Sequence, residues 1–231
     1  MTKPRAAIVF NPNSGRKRSA GLANDFAEHW KTRIGTEVIL RPTQSYEDIR
    51  VAARETSADD IAQIFIGGDG TISECIQGLA EASNFAPLLR PFGMLPGGSG
   101  NSFLRDFDAS EYPNAREAIL SAVENDTYVE TDVGIVSYQS FDADNPQTPG
   151  AARKRITFNI WGLGLIPDIA DLAIKMRYLG ELNYTVASII KMITHRPLKV
   201  TMEVDGEKRD CHCNLICISN SRFTGGAMEM A

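Results

Sequence analysis

The stretch Ile64-Phe65-Ile66-Gly67-Gly68-Asp69-Gly70-Thr71-Ile72-Ser73-Glu74 decides the fold class. Three β-favouring apolar residues run straight into a glycine turn, as a buried parallel strand does on leaving its sheet. Gly67, Gly68 and Gly70 strip the turn of side chains, so backbone N–H groups can approach a ligand closely. A helix is expected next, with Thr71 as its cap and Glu74 completing a capping box. A glycine turn at a helix N-terminus offers unpaired N–H donors to phosphate oxygens. Asp69 is out of place in a pure anion cradle, because a carboxylate repels phosphate. Its presence fits a proton acceptor for an attacking hydroxyl, or a ligand for Mg²⁺. The plain alternative is a structural strand–turn–helix junction carrying a solvated carboxylate.

Two further stretches repeat the pattern. Upstream, the apolar run Ala6-Ala7-Ile8-Val9-Phe10 ends in Asn11-Pro12-Asn13-Ser14-Gly15, followed by Arg16-Lys17-Arg18. That loop reads as a nucleotide-phosphate loop or as a solvated basic turn before a helix. Downstream, Phe92-Gly93-Met94-Leu95 runs into Pro96-Gly97-Gly98-Ser99-Gly100-Asn101-Ser102. Between them, Leu22, Phe26 and Trp30 make an apolar helical stripe over about 19–33, and Thr36 to Leu40 reads as a strand. Thr43 and Ser45 then offer caps to a helix carrying Ile49, Ala52 and Ala53. Strand and helix thus alternate four times before residue 105, which predicts an open, mostly parallel α/β sheet. Ligands of such sheets bind beyond the carboxyl ends of the strands. All three loops follow strands directly and should converge on one edge.

Composition narrows the function. A chain of 231 residues that is 43% hydrophobic can bury a sizeable core, in one or two domains. The net charge of −5 gives no support to non-specific nucleic-acid binding. No apolar run approaches the roughly 20 residues a bilayer-spanning helix needs. Met1-Thr2-Lys3-Pro4-Arg5 leads directly into a strand without a signal-peptide pattern, so a cytoplasmic protein, peripheral at membranes where it meets them, is expected. Cys75 reads as a small buried thiol. Cys211, Cys213 and Cys217 lack the spacing of a paired zinc site, and Cys211 and Cys213 share one strand face.

The pattern changes near 126–130. After a helix near Asn114 to Glu124, Thr127 to Tyr138 is strand-like, and 142–150 is a polar, proline-bearing loop. Ile156 to Ile160 is a strand closing on Trp161-Gly162-Leu163-Gly164. Asp168 to Met176 and Leu182 to Ile193 read as helices. Leu198 to Val204, Asp205-Gly206 and a following strand make a hairpin. The expected division is an α/β nucleotide-binding domain over 1–128 and a β-rich domain over 129–231.

The three loops together resemble the diacylglycerol kinase catalytic family, which includes the sphingosine and ceramide kinases. The matching residues are Asn11 to Gly15, Gly67 to Thr71 with Glu74, and Leu95 to Asn101. Gly-Gly-Asp-Gly-Thr alone is shared with NAD kinases and phosphofructokinases. Asp168, Lys175, Arg177, Leu179 and Gly180 resemble the family's lipid-side segment. The Gly-Ser-Gly-Asn form is closer to the sphingosine kinase branch, and Ser102 departs from the aspartate usual in bacterial diacylglycerol kinases.

The resemblance implies transfer of the ATP γ-phosphate to a hydroxyl of a lipid such as diacylglycerol or a sphingoid base, with Mg²⁺. Asn11, Pro12, Ser14, Gly15, Thr43, Gly67, Gly68, Gly70, Thr71, Gly97, Gly98, Ser99, Gly100 and Asn101 would bind the nucleotide. Asp69 would be the general base or a key polar group, and Glu74 would support it. Asp168 and Arg177 would bind the lipid head, and the apolar 182–193 helix would help cover the acyl chain. The expected partner is a lipid at a membrane surface, with no nucleic acid; a homodimer is left open.

Each assignment has a plainer rival. Asp168 follows Pro167 and could simply cap its helix. Arg177 could only pair with Glu181. The 182–193 stripe could be core. In the family the stretch matching Gly225 to Met228 is followed by further strands and an Asp-Gly motif at the ATP and magnesium site, so the β-rich domain is expected to be incomplete. An NAD kinase-like soluble-substrate kinase and a non-catalytic nucleotide- or lipid-binding module are the competing functions.

Overall fold

The computed structural model describes residues 3–55, 61–87, 91–98, 100–141, 148–176, 183–224 and 228–229. Their contacts divide the chain into two compact units, 1–159 with 220–231, and 160–219.

The first unit is built on four parallel strands: β1 (Arg5–Phe10), β2 (Val38–Pro42), β3 (Ile61–Gly67) and β4 (Phe92–Pro96), in the order β2-β1-β3-β4. Ile8 lies opposite Leu40 on one side and Ile64 on the other, and Ile66 lies opposite Leu95. The connecting helices are α1 (Ser19–Arg33), α2 (Tyr46–Glu55) and α3 (Asp69–Ala82), with α4 (Tyr112–Asn125) after the sheet. Both faces of the sheet are covered, which is why its strands read as continuous apolar runs rather than alternating ones. On one face Ile8, Ile64, Ile66 and Leu95 pack with Phe26 and Trp30 of α1 and Leu120 of α4. On the other, Val9, Phe65 and Met94 pack with Ile49 of α2 and with Ile72 and Leu79 of α3. The Trp30 indole N–H donates to Thr36 Oγ1 at 2.9 Å, so the largest core side chain is also satisfied.

The remaining parts of this unit attach to that layer. β5 (Gly134–Phe141) and β6 (Pro149–Thr157) form an antiparallel pair. Phe158, just after β6, stacks edge-on against Phe103 at 4.9 Å between ring centroids. Residues 127–133 are irregular, so the strand expected from Thr127 begins only at Gly134. The exposed Tyr128 and Val129 have no face to bury there, and β-propensity without a buried face does not hold a strand. Arg222 returns to the first half: its backbone N–H donates to Asp106 Oδ2 at 3.2 Å and its Nε to Oδ1 at 2.9 Å.

The second unit contains β7 (Ile160–Gly164), α5 (Leu165–Lys175), α6 (Asn183–Thr194), β8 (Leu198–Val204), β9 (Glu207–Cys213) and β10 (Leu215–Ser219). β7 pairs antiparallel with β10, and β8 with β9 across a turn at Asp205 and Gly206, both at positive φ. The predicted hairpin is therefore present. Cys211 and Cys213 do share a face, and all four cysteines are free thiols. The stripe on α6 is only partly core: Ala187 is buried, whereas Ile189, Met192 and Ile193 are exposed. Among the described residues no helix is long and apolar enough to cross a membrane.

Candidate active site

The three glycine loops meet at the carboxyl edge of the four-stranded sheet. Register alone brings two of them together, since Gly67 pairs with Pro96 and the Gly97 N–H donates to the Gly67 carbonyl at 2.8 Å. A methyl placed on Gly98 would lie 2.6 Å from the Gly68 Cα, and one on Gly67 would lie 2.1 Å from Thr71 Oγ1. The first loop reaches the third: Gly15 has φ +58, and a Cβ there would stand 2.1 Å from the Gly97 carbonyl oxygen. Backbone runs against backbone at Gly15 and Gly98, and the Thr71 side chain occupies the space beside Gly67, so glycine is required by space at these positions and by φ at Gly15.

Local hydrogen bonds hold each loop. Asn11 Oδ1 accepts the Asn13 N–H at 2.9 Å, and the Asn11 carbonyl accepts the Ser14 hydroxyl at 2.8 Å. Ser14 and Ser19 hydroxyls lie 2.6 Å apart, joining the loop to the start of α1. Thr43 is buried and donates from both N–H and Oγ1 to the Phe10 carbonyl, at 2.8 and 3.2 Å, where the first loop begins. Asn101, at φ +50, folds back so that its Oδ1 accepts the Gly98 N–H at 3.1 Å and its Nδ2 donates to the Gly98 carbonyl at 3.2 Å. Gly70 lies beside an aromatic ring that the sequence did not single out: a Cβ there would be 3.2 Å from the Tyr46 hydroxyl. Tyr46 opens α2 and is exposed, and an isolated tyrosine at a helix start carries no signal in a single sequence. Ser99 and Arg177 lie outside the described residues.

Capping follows different residues from those expected. α3 begins at Asp69 with Gly68 at its N-cap, and no side chain caps it. Thr71 is therefore inside the helix, not at its start, because the glycine turn ends two residues earlier than the capping-box pattern implies. At α2 it is Ser45, not Thr43, that caps. The Ser45 hydroxyl accepts the Asp48 N–H at 3.1 Å, and Asp48 accepts the Ser45 N–H at 3.0 Å.

The two carboxylates of the organising stretch have separate surroundings. Asp69 Oδ2 accepts the Ser102 N–H and Oδ1 the Phe103 N–H, each at 3.1 Å. These are the orphan donors at the start of the 3-10 turn Phe103–Phe107, so Asp69 ties the second glycine loop to the end of the third. Glu74, one turn along α3, accepts from Arg155 of β6 at 2.7 Å and lies 3.8 Å from Arg50 Nε. Arg50 also pairs with Glu47 of its own helix and with Glu81 of α3.

In the second unit, Gly164 is the N-cap of α5 and Asp168 lies within its first turn, so capping does not account for Asp168. Its Oδ2 instead faces two groups of α6: Lys191 Nζ at 3.5 Å and His195 Nδ1 at 3.4 Å.

The fold is a parallel α/β sheet with three glycine loops at one edge, followed by a β-rich unit. Residues 5–136 match the model of the diacylglycerol kinase catalytic domain, and the chain belongs to that family. Residues 164–231 match a second model, the YegS C-terminal NAD kinase beta sandwich-like domain. A diacylglycerol kinase of Bacillus subtilis is 30% identical over 237 residues, covering 98% of this chain and 68% of the relative. A diacylglycerol kinase of Staphylococcus carnosus is 23% identical over 198 residues, covering 78% of this chain and 60% of the relative. The crystal structure of a diacylglycerol kinase from Bacillus anthracis superposes with a TM-score of 0.67 at 19% identity, covering 97% of this chain and 67% of that one, a likeness of fold.

Proposed function

We propose that this chain is the catalytic region of an ATP-dependent lipid kinase, transferring the γ-phosphate of ATP to a hydroxyl of diacylglycerol or a sphingoid base. The observation that carries this reading is the close approach of the Gly15, Gly67–Gly68 and Gly97–Gly98 backbones at the end of a parallel sheet. Glycine at these positions keeps the sheet edge nearly bare of side chains, with Thr71 and Asn101 as the neighbours that reach in, and such an edge suits the β- and γ-phosphates. The residues therefore fit a nucleotide triphosphate, and a bound Mg²⁺ would offset the charge of its phosphates.

Phosphoryl transfer requires mainly positioning and charge stabilisation. Asn11, Pro12, Ser14, Gly15 and Thr43 shape the first wall of the cradle. Gly67, Gly68, Gly70 and Thr71 form the second, and Gly97, Gly98, Ser99, Gly100 and Asn101 the third. Asp69 stands where these walls join, and we assign it the proton of the attacking hydroxyl. Glu74 supports the site through Arg155 and Arg50. Asp168 and Arg177 take the polar head of the lipid. In this reading 1–128 carries the nucleotide and 129–231 the lipid.

The test is transfer of radiolabelled phosphate from ATP to diacylglycerol, a sphingoid base or ceramide in mixed micelles with Mg²⁺, using the full-length protein. Transfer to one lipid supports the reading and names the substrate. Transfer to NAD instead, or ATP binding without turnover, overturns it.

A further inference from the structure

His195 is the one histidine that the nucleotide and lipid assignments leave unused and that is also buried: its side chain is 7% exposed. It follows the last turn of α6, where its N–H donates to the Lys191 carbonyl at 2.8 Å. The two side chains therefore stand one helical turn apart and converge on the same atom, Asp168 Oδ2. Asp171, the other acid of α5, pairs with Lys175 at 2.6 Å and does not compete. Two features distinguish this arrangement from an ordinary surface ion pair. Both contacts fall on Oδ2, while Oδ1 has no hydrogen bond among the described residues and the Asp168 side chain is 46% exposed. His195 Nε2 is buried with no hydrogen-bond partner among the described residues. A buried lone pair without a donor is tolerated more readily than a buried N–H without an acceptor, since a carbonyl-like acceptor is more often left under-satisfied than a donor. That asymmetry places the ring proton on Nδ1, where Asp168 accepts it.

We propose that His195 is a positioning residue for Asp168, the carboxylate that takes the lipid head. It donates from Nδ1 to Oδ2 of Asp168 and, together with Lys191, fixes the rotamer so that Oδ1 is presented to a hydroxyl or ammonium of the lipid head. The inference rests on the reading of Asp168 as the lipid-head ligand. It extends that reading to a residue which touches no substrate and acts only through Asp168.

Two measurements on the full-length protein test it. In micellar kinetics, H195L removes the donor and keeps the bulk, and is expected to raise the lipid KM about tenfold, the size of one hydrogen bond to a charged group, with the ATP KM unchanged. H195N, whose amide can stand at the Nδ1 position, should bring the lipid KM back to within about threefold of the parent. D168A should raise the lipid KM, and adding H195L to D168A should change nothing more, because the two residues act as one unit. Separately, ¹⁵N NMR of the three histidines, with His195 assigned by its loss in H195N, should show the Nδ1–H tautomer, and D168A should abolish it. An equal rise in both KM values, additive D168A and H195L effects, or an Nε2–H tautomer overturns the positioning role. A lipid KM unmoved by D168A overturns the substrate reading of Asp168, and the positioning role with it. A lipid KM raised by D168A and unmoved by H195L overturns the positioning role alone.

Discussion

Replacing Asp69 should do two separable things, and the structure sets the size of one of them. Its two carboxylate oxygens each accept one backbone N–H, from Ser102 and Phe103, at a partly buried site. A hydrogen bond to a charged group contributes about 1.5 kcal/mol at the lower end of the measured range, which suits a site that water still reaches. Two such bonds amount to about 3 kcal/mol, and D69A loses both while leaving two amide donors without their acceptor. For a chain of this size that corresponds to a fall of roughly 6–12 °C in melting temperature. D69N keeps one acceptor oxygen but turns an NH₂ toward the other N–H, so it should lose about half as much or slightly more. Neither variant should unfold at room temperature, because the apolar clusters on both sheet faces are untouched.

The assay is urea denaturation followed by tryptophan fluorescence in a W161F background, which leaves Trp30 as the reporter, read beside phosphate transfer by the full-length protein. Trp30 is fully buried in the first unit, so it reports on the part that Asp69 braces. The expected order of midpoints is parent, D69N, D69A. A D69A midpoint equal to the parent's would refute the bracing role and leave the two backbone contacts energetically silent. Transfer should fall in D69N by at least the 10²-fold typical of a lost general base. Retained turnover in D69N, with its midpoint lowered, would make Asp69 a loop brace and remove it from the chemistry.

Other outcomes follow from the same geometry. G15A forces a methyl against the Gly97 carbonyl in a left-handed backbone, whereas at Gly70 the neighbour is the movable Tyr46 side chain. G15A should therefore lose ATP binding and about 1–3 kcal/mol of stability, whereas G70A should keep a melting temperature near the parent's in calorimetry. Asp25 is held below its usual range first by the Tyr112 hydroxyl, Glu124 first by the Arg33 guanidinium and Glu117 first by that of Arg116. Depressed carboxylates stabilise the fold fully above their unfolded values and lose that contribution as pH falls through the lower folded ones. The denaturation midpoint should hold from about pH 7 to 5 and drop below about pH 4, less steeply in R33Q. Cys75 is fully buried and its thiol is pushed up by that burial, while the other three cysteines are partly accessible. A thiol reagent should modify up to three cysteines in the native protein and the fourth only after denaturant is added.

What the sequence disclosed and what it withheld divide along a physical line. Strands buried on both faces leave an unbroken apolar run, so β1, β3 and β4 and the glycine loops that follow them are legible. The loops' convergence follows from parallel order alone. Trp30, Phe26 and Leu22 likewise announce α1, because a helix covering a sheet must keep an apolar stripe. Features fixed by a partner far along the chain leave no local trace. Thr71 and Glu74 have the spacing of a capping box, yet the helix starts at Asp69, whose side chain is engaged by the amides of Ser102 and Phe103. Glu74 is directed instead toward Arg155, 81 positions away. On α6 the apolar residues have helical spacing, but periodicity says which residues share a face and not what that face meets, so Ile189 and Ile193 could be read as core although they are exposed. Asp168 shows the same limit from the other side. Pro167 before it suggested a cap, and only the approach of α6 reveals Lys191 and His195 on its carboxylate. A buried histidine 27 positions from its acceptor has no local pattern to betray it, and contacts set by the packing of two helices are for that reason the last to be read from a chain.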